Sequence, residues 1–228
     1  MNLLNQKYSK EVSDIIKSSA QYPSLTKAED GTMYVCYQEY KDGHDCIVAG
    51  VLNQEKDTFS EVERISGEGE ALKPVCVSSG NQIWYAWGEC RNQVWGIYYR
   101  SYENGVYGEI HCAEEGEALF YPCLYAKDGI VYLLWNRQSS NAGEIVLSTI
   151  DEEGIHDVQV VSTSKETYRP SICITEDHTI YVAYDSFNGT TYDVIVRACK
   201  DQDLDRGKSS KYFKNSMGNT AITGIFKG

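Results

Sequence analysis

Proline is scarce in this chain: 228 residues hold only Pro23, Pro74, Pro122 and Pro170, which excludes collagen-like and proline-rich linker classes. Apolar runs are short, and none approaches the roughly 18 residues of a membrane span, so no membrane partner is expected. The long Ala-, Leu-, Glu- and Lys-rich runs of helical domains are missing as well. Positive charge is in deficit, with 21 Lys and Arg against 33 Asp and Glu, a net charge of −12 and a pI near 4.8. Such a surface repels phosphate backbones and anionic lipid, which excludes nucleic acid and membrane surfaces as expected partners.

Chemical motifs are also lacking. No Cys-x-x-Cys pair exists, and the four histidines (His44, His111, His156 and His178) are scattered along the chain. A zinc site therefore lacks its usual spacing. There is no Gly-rich phosphate loop, no Gly-x-Ser-x-Gly and no Cys–His arrangement in a recognisable context. No metal and no cofactor are expected. Met1 to Ala20 shows no basic start followed by an apolar core, so no signal peptide is read there.

Tyrosine is abundant, with 18 against 5 Phe and 4 Trp. Tyr favours strands and suits positions with one apolar and one wet side. An all-β fold follows. The eight cysteines mostly fall within apolar, strand-like segments and read as buried free thiols behaving as small apolar residues. That favours a cytoplasmic location, with a secreted fragment as the alternative.

The prolines disclose an internal repeat. Their separations are 51, 48 and 48 residues, and each opens a similar segment: Tyr22-Pro-Ser-Leu, Lys73-Pro-Val-Cys, Tyr121-Pro-Cys-Leu and Arg169-Pro-Ser-Ile. A turn follows each: Glu29-Asp-Gly-Thr, Ser79-Gly-Asn-Gln, Lys127-Asp-Gly-Ile and Glu176-Asp-His-Thr. A second strand then ends on Tyr37, Trp87, Trp135 or Tyr184, 13 or 14 residues after the proline each time. Third strands are predicted at 46–50, 94–100, 144–149 and 193–198, and fourth strands at 60–65, 108–112 and 156–161. Four strands per unit of about 48 residues predict β-propeller blades. The blade units fall at about 22–66, 73–113, 121–162 and 169–200 of a single domain. A β-sandwich of hairpins is the alternative, but it does not require the same proline and aromatic at one offset four times. Tyr8 stands 15 residues before Pro23, as Phe59, Tyr107 and Ile155 stand before the later prolines. Residues 8–16 therefore read either as a strand closing the last blade or as a short helix, with 201–228 as a C-terminal tail.

The recurring Pro-Ser-Leu…Asp-Gly-Thr-x-Tyr-Val-x-Tyr/Trp text, over about residues 8–200, resembles the sialidase-like (BNR or Asp-box) β-propeller superfamily. Its Asp box is present in decayed form as Ser101-Tyr-Glu-Asn-Gly-Val-Tyr107 and Thr149-Ile-Asp-Glu-Glu-Gly154. The resemblance implies five to seven blades, against four units here. It also implies three arginines for a substrate carboxylate, a Tyr–Glu nucleophile pair and an acidic proton donor. Tyr168-Arg169-Pro170 is similar to the family's Arg-Ile-Pro text without the isoleucine, and only Arg137 and Arg169 fall at suitable strand ends. No arginine triad can be placed, so no catalytic residue carries over.

In a propeller, the loops before the first strand and after the second share one face around the channel. By repeat position that face receives Tyr22, Lys73, Tyr121 and Arg169, then Gln38 with Glu39, Glu89, Asn136 with Arg137, and Asp185. Aromatic and charged groups so placed suit a glycan or protein ligand; alternatively they satisfy one another around a plugged channel. A non-catalytic binding module is the leading expectation. Glu89 and Asp185 acting as glycoside-hydrolase carboxylates form the second, and self-association through open strand edges forms the third. Asn188-Gly-Thr matches a glycosylation sequon but reads as a hairpin turn.

Overall fold

A computed structural model describes residues 19–53, 58–139, 142–162 and 166–200. The predicted closing segment 8–16 and the tail 201–228 lie outside them. The described chain is all-β, in four antiparallel sheets that coincide with the four repeats and form the blades of a β-propeller fold. Blade one holds β1 (Ala20–Lys27), β2 (Met33–Lys41), β3 (His44–Asn53) and β4 (Thr58–Arg64), each beside the next. Blade two holds β5 (Glu70–Ser79), β6 (Gln82–Arg91), β7 (Val94–Glu103) and β8 (Val106–Tyr107), with β9 (His111–Gly116) pairing on β7. Blade three runs β10 (Ala118–Lys127), β11 (Ile130–Ser139), β12 (Ala142–Asp151) and β13 (Gly154–Val160). Blade four runs β14 (Thr167–Ile174), β15 (Thr179–Phe187) and β16 (Tyr192–Lys200). The chain divides into two compact units, one up to Glu115 and one from Gly116, so each holds two blades.

In blades two and three the second strand is covered on both faces, and its sequence shows it. Ile83 to Glu89 in β6 and Val131 to Asn136 in β11 are buried without a break. Such strands read as continuous apolar runs rather than alternation. The repeat aromatics Tyr37, Trp87, Trp135 and Tyr184 are all buried. In the first unit the core gathers Cys36, Ile47, Ile65, Ile83, Tyr85, Trp87 and Tyr98. In the second it gathers Leu134, Ile145, Leu147, Ile172, Val182 and Tyr184. The β15 strand differs, alternating buried Ile180, Val182 and Tyr184 with the exposed Tyr181 and half-buried Ala183.

The blades of each unit are also stitched by hydrogen bonds. Cys76 N donates to Ser24 Oγ (3.1 Å) and Ser78 N to Thr26 Oγ1 (3.0 Å), from β5 to β1. In the second unit Tyr125 Oη donates to the Ile174 carbonyl (3.3 Å). The seven cysteines whose side chains are described are free thiols, with Cys36, Cys46 and Cys76 buried and Cys112 and Cys173 exposed.

The turns behave as their residues require. Asp42-Gly43 and Asp128-Gly129 place both residues at positive φ (54° and 91°; 52° and 81°), as a two-residue hairpin loop needs. His178 adopts φ 59° in the fourth blade's first turn, where the other blades use Gly31, Gly80 and Gly129.

The predicted strand 108–112 is a correction. Residues 108–110 belong to no strand, and β8 and β9 lie on either side of them. The Gly108 carbonyl is taken by the Arg100 guanidinium, through Nε at 3.1 Å and Nη2 at 2.5 Å, so it is not free to join a ladder. Residues 101–107 and 149–154 lie at the turns from third to fourth strand. Asn104 and Gly105 make a positive-φ hairpin, and Asp151 Oδ1 accepts from the amides of Glu153 and Gly154.

Candidate functional site

The four Xaa-Pro pairs share one distortion. In every blade the register between first and second strand slips across that pair: between Gln21 and Ser24, Leu72 and Val75, Phe120 and Cys123, and Tyr168 and Ser171. Each slip is a β-bulge lying opposite the repeat aromatic of the second strand. The residue before the proline sits in the left-handed region each time: Tyr22 at φ 52°, Lys73 at 52°, Tyr121 at 54° and Arg169 at 50°. Left-handed backbone costs a non-glycine residue about 1–2 kcal/mol, and a following proline biases its neighbour toward extended conformations. Glycine would sit there without strain. Instead the positions carry two tyrosines, a lysine and an arginine. Bulges re-aim side chains and concentrate beside functional sites.

In the first unit, Tyr22 is 49 % exposed and the Lys73 ammonium stands 5.8 Å from its ring centroid. Gln38 is buried and accepts from the Lys73 backbone N–H (3.1 Å), so blade one holds the bulge of blade two.

The second unit repeats the pairing of a tyrosine bulge with a basic one. Tyr121 is half-buried, Arg169 is exposed, and Asp185 accepts from Arg169 Nε. That hydrogen bond and charge, with smaller help from Tyr121 and Tyr192, hold the guanidinium firmly protonated. The Arg169 guanidinium lies 6.0 Å from the Tyr192 ring, and Tyr192 meets Tyr168 edge to face at 6.1 Å. Tyr168 Oη accepts from Gln138 Nε2 at 3.0 Å.

Glu89 has a different environment from the bulge residues. It is fully buried and accepts from Gly67 N (3.1 Å), Gly69 N (3.2 Å), Trp87 Nε1 (2.8 Å), and Arg91 Nε (2.9 Å) and Nη2 (3.1 Å). Burial pushes this carboxyl up, but the bonds from Arg91, Trp87 and Gly67 outweigh it and hold it below the usual value. Two glycines permit the approach: a Cβ on Gly67 would meet Glu89 Oε1 at 2.4 Å, and one on Gly69 the Cys90 carbonyl oxygen at 2.1 Å. With five donors and no exposure, Glu89 serves as an anchor for the crossing from blade one to blade two. Arg137 binds Glu144 Oε2 (2.7 Å and 3.0 Å) on the neighbouring strand. Glu39 is half-buried, and Asn136 is buried, donating to the Thr167 and Glu144 carbonyls.

Of the sequence-predicted residues, Tyr22, Gln38 and Lys73 are therefore brought together in one unit, and Tyr121, Arg169 and Asp185 in the other. Gln138, Tyr168 and Tyr192 join the second cluster; of these the sequence points only to Tyr168, beside Arg169-Pro170, and not as a site residue. Tyr168 stands next to Arg169, and Tyr192 opens the third strand of the same blade, so blade register was the signal available. Among the described residues no three His, Cys, Asp or Glu side chains are grouped to hold a metal ion.

No protein-family model matches the chain, and no curated protein sequence matches it significantly. Solved structures do. A protein of unknown function from Dyadobacter fermentans has a TM-score of 0.61 at 14 % identity, over 87 % of this chain and 69 % of that one. A family PL25 polysaccharide lyase, an ulvan lyase, has a TM-score of 0.59 at 11 % identity, over 86 % and 57 %. A thermostable family-43 glycoside hydrolase has a TM-score of 0.53 at 11 % identity, over 87 % and 77 %. At these identities the likeness shows a common β-propeller fold.

Proposed function

We propose that the chain is a non-catalytic binding module of sialidase-like propeller type that recognises a glycan through its bulge residues. The observation that carries this reading is the strained set Tyr22, Lys73, Tyr121 and Arg169 at φ 50–54°. Stability alone favours glycine at such positions, so side chains with rings and charges there have a use beyond folding. An aromatic ring offers a face to the C–H surface of a sugar, and an adjacent cation donates to its hydroxyls or carboxylates. Similar folds in a polysaccharide lyase and a glycoside hydrolase add support for a glycan ligand. Glycan-array binding followed by calorimetric titration of Tyr22→Ala, Tyr121→Ala and Arg169→Ala tests the reading. Binding that survives all three changes would sink it, and capture of peptides but no glycan would assign a protein ligand instead.

A glycoside hydrolase is a second reading, supported by the fold shared with a family-43 glycoside hydrolase. Glu89, buried under five protein donors, and Asp185, held by Arg169, are each committed to a partner within the chain, which disfavours turnover by either. Hydrolysis of fluorogenic glycosides that vanishes in Glu89→Gln and Asp185→Asn would reverse that preference.

A further inference from the structure

A cavity of about 290 Å³ opens between blades one and two of the first unit. It is lined by Tyr34, Gly50, Val51, Glu63, Tyr85, Tyr102, Gly105 and Tyr107. Tyr34 and Tyr85 precede Tyr37 and Trp87, which face the bulges, in β2 and β6, so the cavity lies on the side of the bulges toward the start of those strands. Four tyrosines wall it. Tyr34 and Tyr102 meet at 5.7 Å and 60°, Tyr102 and Tyr107 at 4.7 Å and 53°, and Tyr85 and Tyr107 at 6.3 Å and 49°. Burial, with Tyr107 next, pushes the Tyr85 hydroxyl far up, so it stays a neutral donor. The exposed Glu63 supplies an acceptor at the rim.

Two classes of ligand suit aromatic walls beside a carboxylate: an organic cation and a sugar. The charges decide between them. The Arg100 guanidinium already lies 4.8 Å from the Tyr107 ring; burial pulls its pKa down, and Tyr107 and then Glu63 act against that. One ring thus already has its cation, and the Arg100 charge repels a second. A neutral polyol avoids that repulsion, since its C–H face lies on a ring while its hydroxyls reach Glu63 and the phenols. The volume sits at the lower limit of about 300 Å³ for ligand pockets, which suits one sugar ring rather than a chain.

We propose that this cavity binds a single pyranose ring of a neutral sugar. The site stands independently of the bulge residues. Saturation-transfer NMR with methyl glycosides of xylose, glucose, galactose and mannose, and with choline chloride, tests it on the full chain. At least one glycoside is expected to receive saturation, to bind about tenfold more weakly in Glu63→Gln, and to lose its signal when Val51→Trp fills the space. Circular dichroism checks that both variants fold, and Glu63→Gln changes an exposed side chain. The same measurement in a Tyr22→Ala/Lys73→Ala/Tyr121→Ala/Arg169→Ala background separates the two sites, because signal lost there belongs to the bulges and overturns the pocket. No signal from any glycoside, signal unchanged by both pocket variants, or binding of choline alone overturns it as well.

Discussion

The side-chain carbonyl of Gln38 accepts a hydrogen bond from the backbone N–H of Lys73 at 3.1 Å, tying the second strand of one blade to the bulge that opens the next. Gln38 is buried, so a lost partner leaves that donor poorly hydrated. Gln38→Ala is expected to lower stability by about 1–3 kcal/mol. Gln38→Met keeps the side-chain volume without the acceptor and should cost nearly as much as alanine. Urea unfolding of the three proteins checks this, and a methionine variant as stable as wild type would show that side-chain volume, not the hydrogen bond, matters.

Glycine should relieve the bulges. Lys73→Gly and Arg169→Gly are each expected to leave stability unchanged or raise it by up to about 1 kcal/mol, because left-handed strain offsets the chain entropy glycine loses. Glycan binding should fall in the same variants. His178→Gly is the control, a turn residue at φ 59° with no assigned ligand role. Thermal melts paired with titration decide the matter. A loss above about 1 kcal/mol in the bulge variants would mean that their side chains serve the fold.

The repeat made the strands and turns legible, since Asp-Gly marks a hairpin and each proline falls in a first strand, but the prolines do not open those strands: each is the fourth or fifth residue, at the bulge. The bulges were less so. Nothing in Lys73-Pro74 states that Lys73 takes a positive φ, because the restriction comes from pairing against Trp87. Its place after the repeat aromatic points Glu89 at a ligand, yet it turns inward onto Gly67, Gly69, Trp87 and Arg91. Its partners lie up to 22 residues away, so a one-blade repeat pattern does not reveal them. The break at 108–110 likewise arises from Arg100 reaching a backbone carbonyl, a contact that strand propensity does not encode.

Among the described residues β16 is at the edge of its three-stranded sheet and carries Val194 and Val196 at 70 % and 54 % exposure. Apolar side chains at a sheet edge favour pairing with another strand, and we propose a second copy of the chain as its source. Light scattering of the purified chain is expected to show mass rising with concentration. Val194→Lys with Val196→Lys should shift it toward the monomer by like-charge repulsion. A wild-type mass that stays monomeric from micromolar to near-millimolar concentration would remove self-association from consideration.

Glu89 makes a prediction with a definite sign in pH. Its carboxyl is held below its ordinary value in the folded chain, whereas the unfolded chain titrates near about 4.3. The stability it contributes is therefore fully present above the unfolded value and is lost as pH falls through the lower, folded value. Glu89→Gln leaves Arg91 without its partner and turns an amide N–H₂ toward existing donors, so it should cost about 3 kcal/mol at pH 7. The gap from wild type should narrow as the wild-type carboxyl protonates. Gly69→Ala, whose new Cβ would meet a backbone oxygen rather than a mobile side chain, should be destabilising at every pH. Urea melts at pH 7, 5 and 3 measure both. A Glu89→Gln deficit that stays constant across that range would show that packing, and not the carboxylate's charge, anchors the crossing between the first two blades.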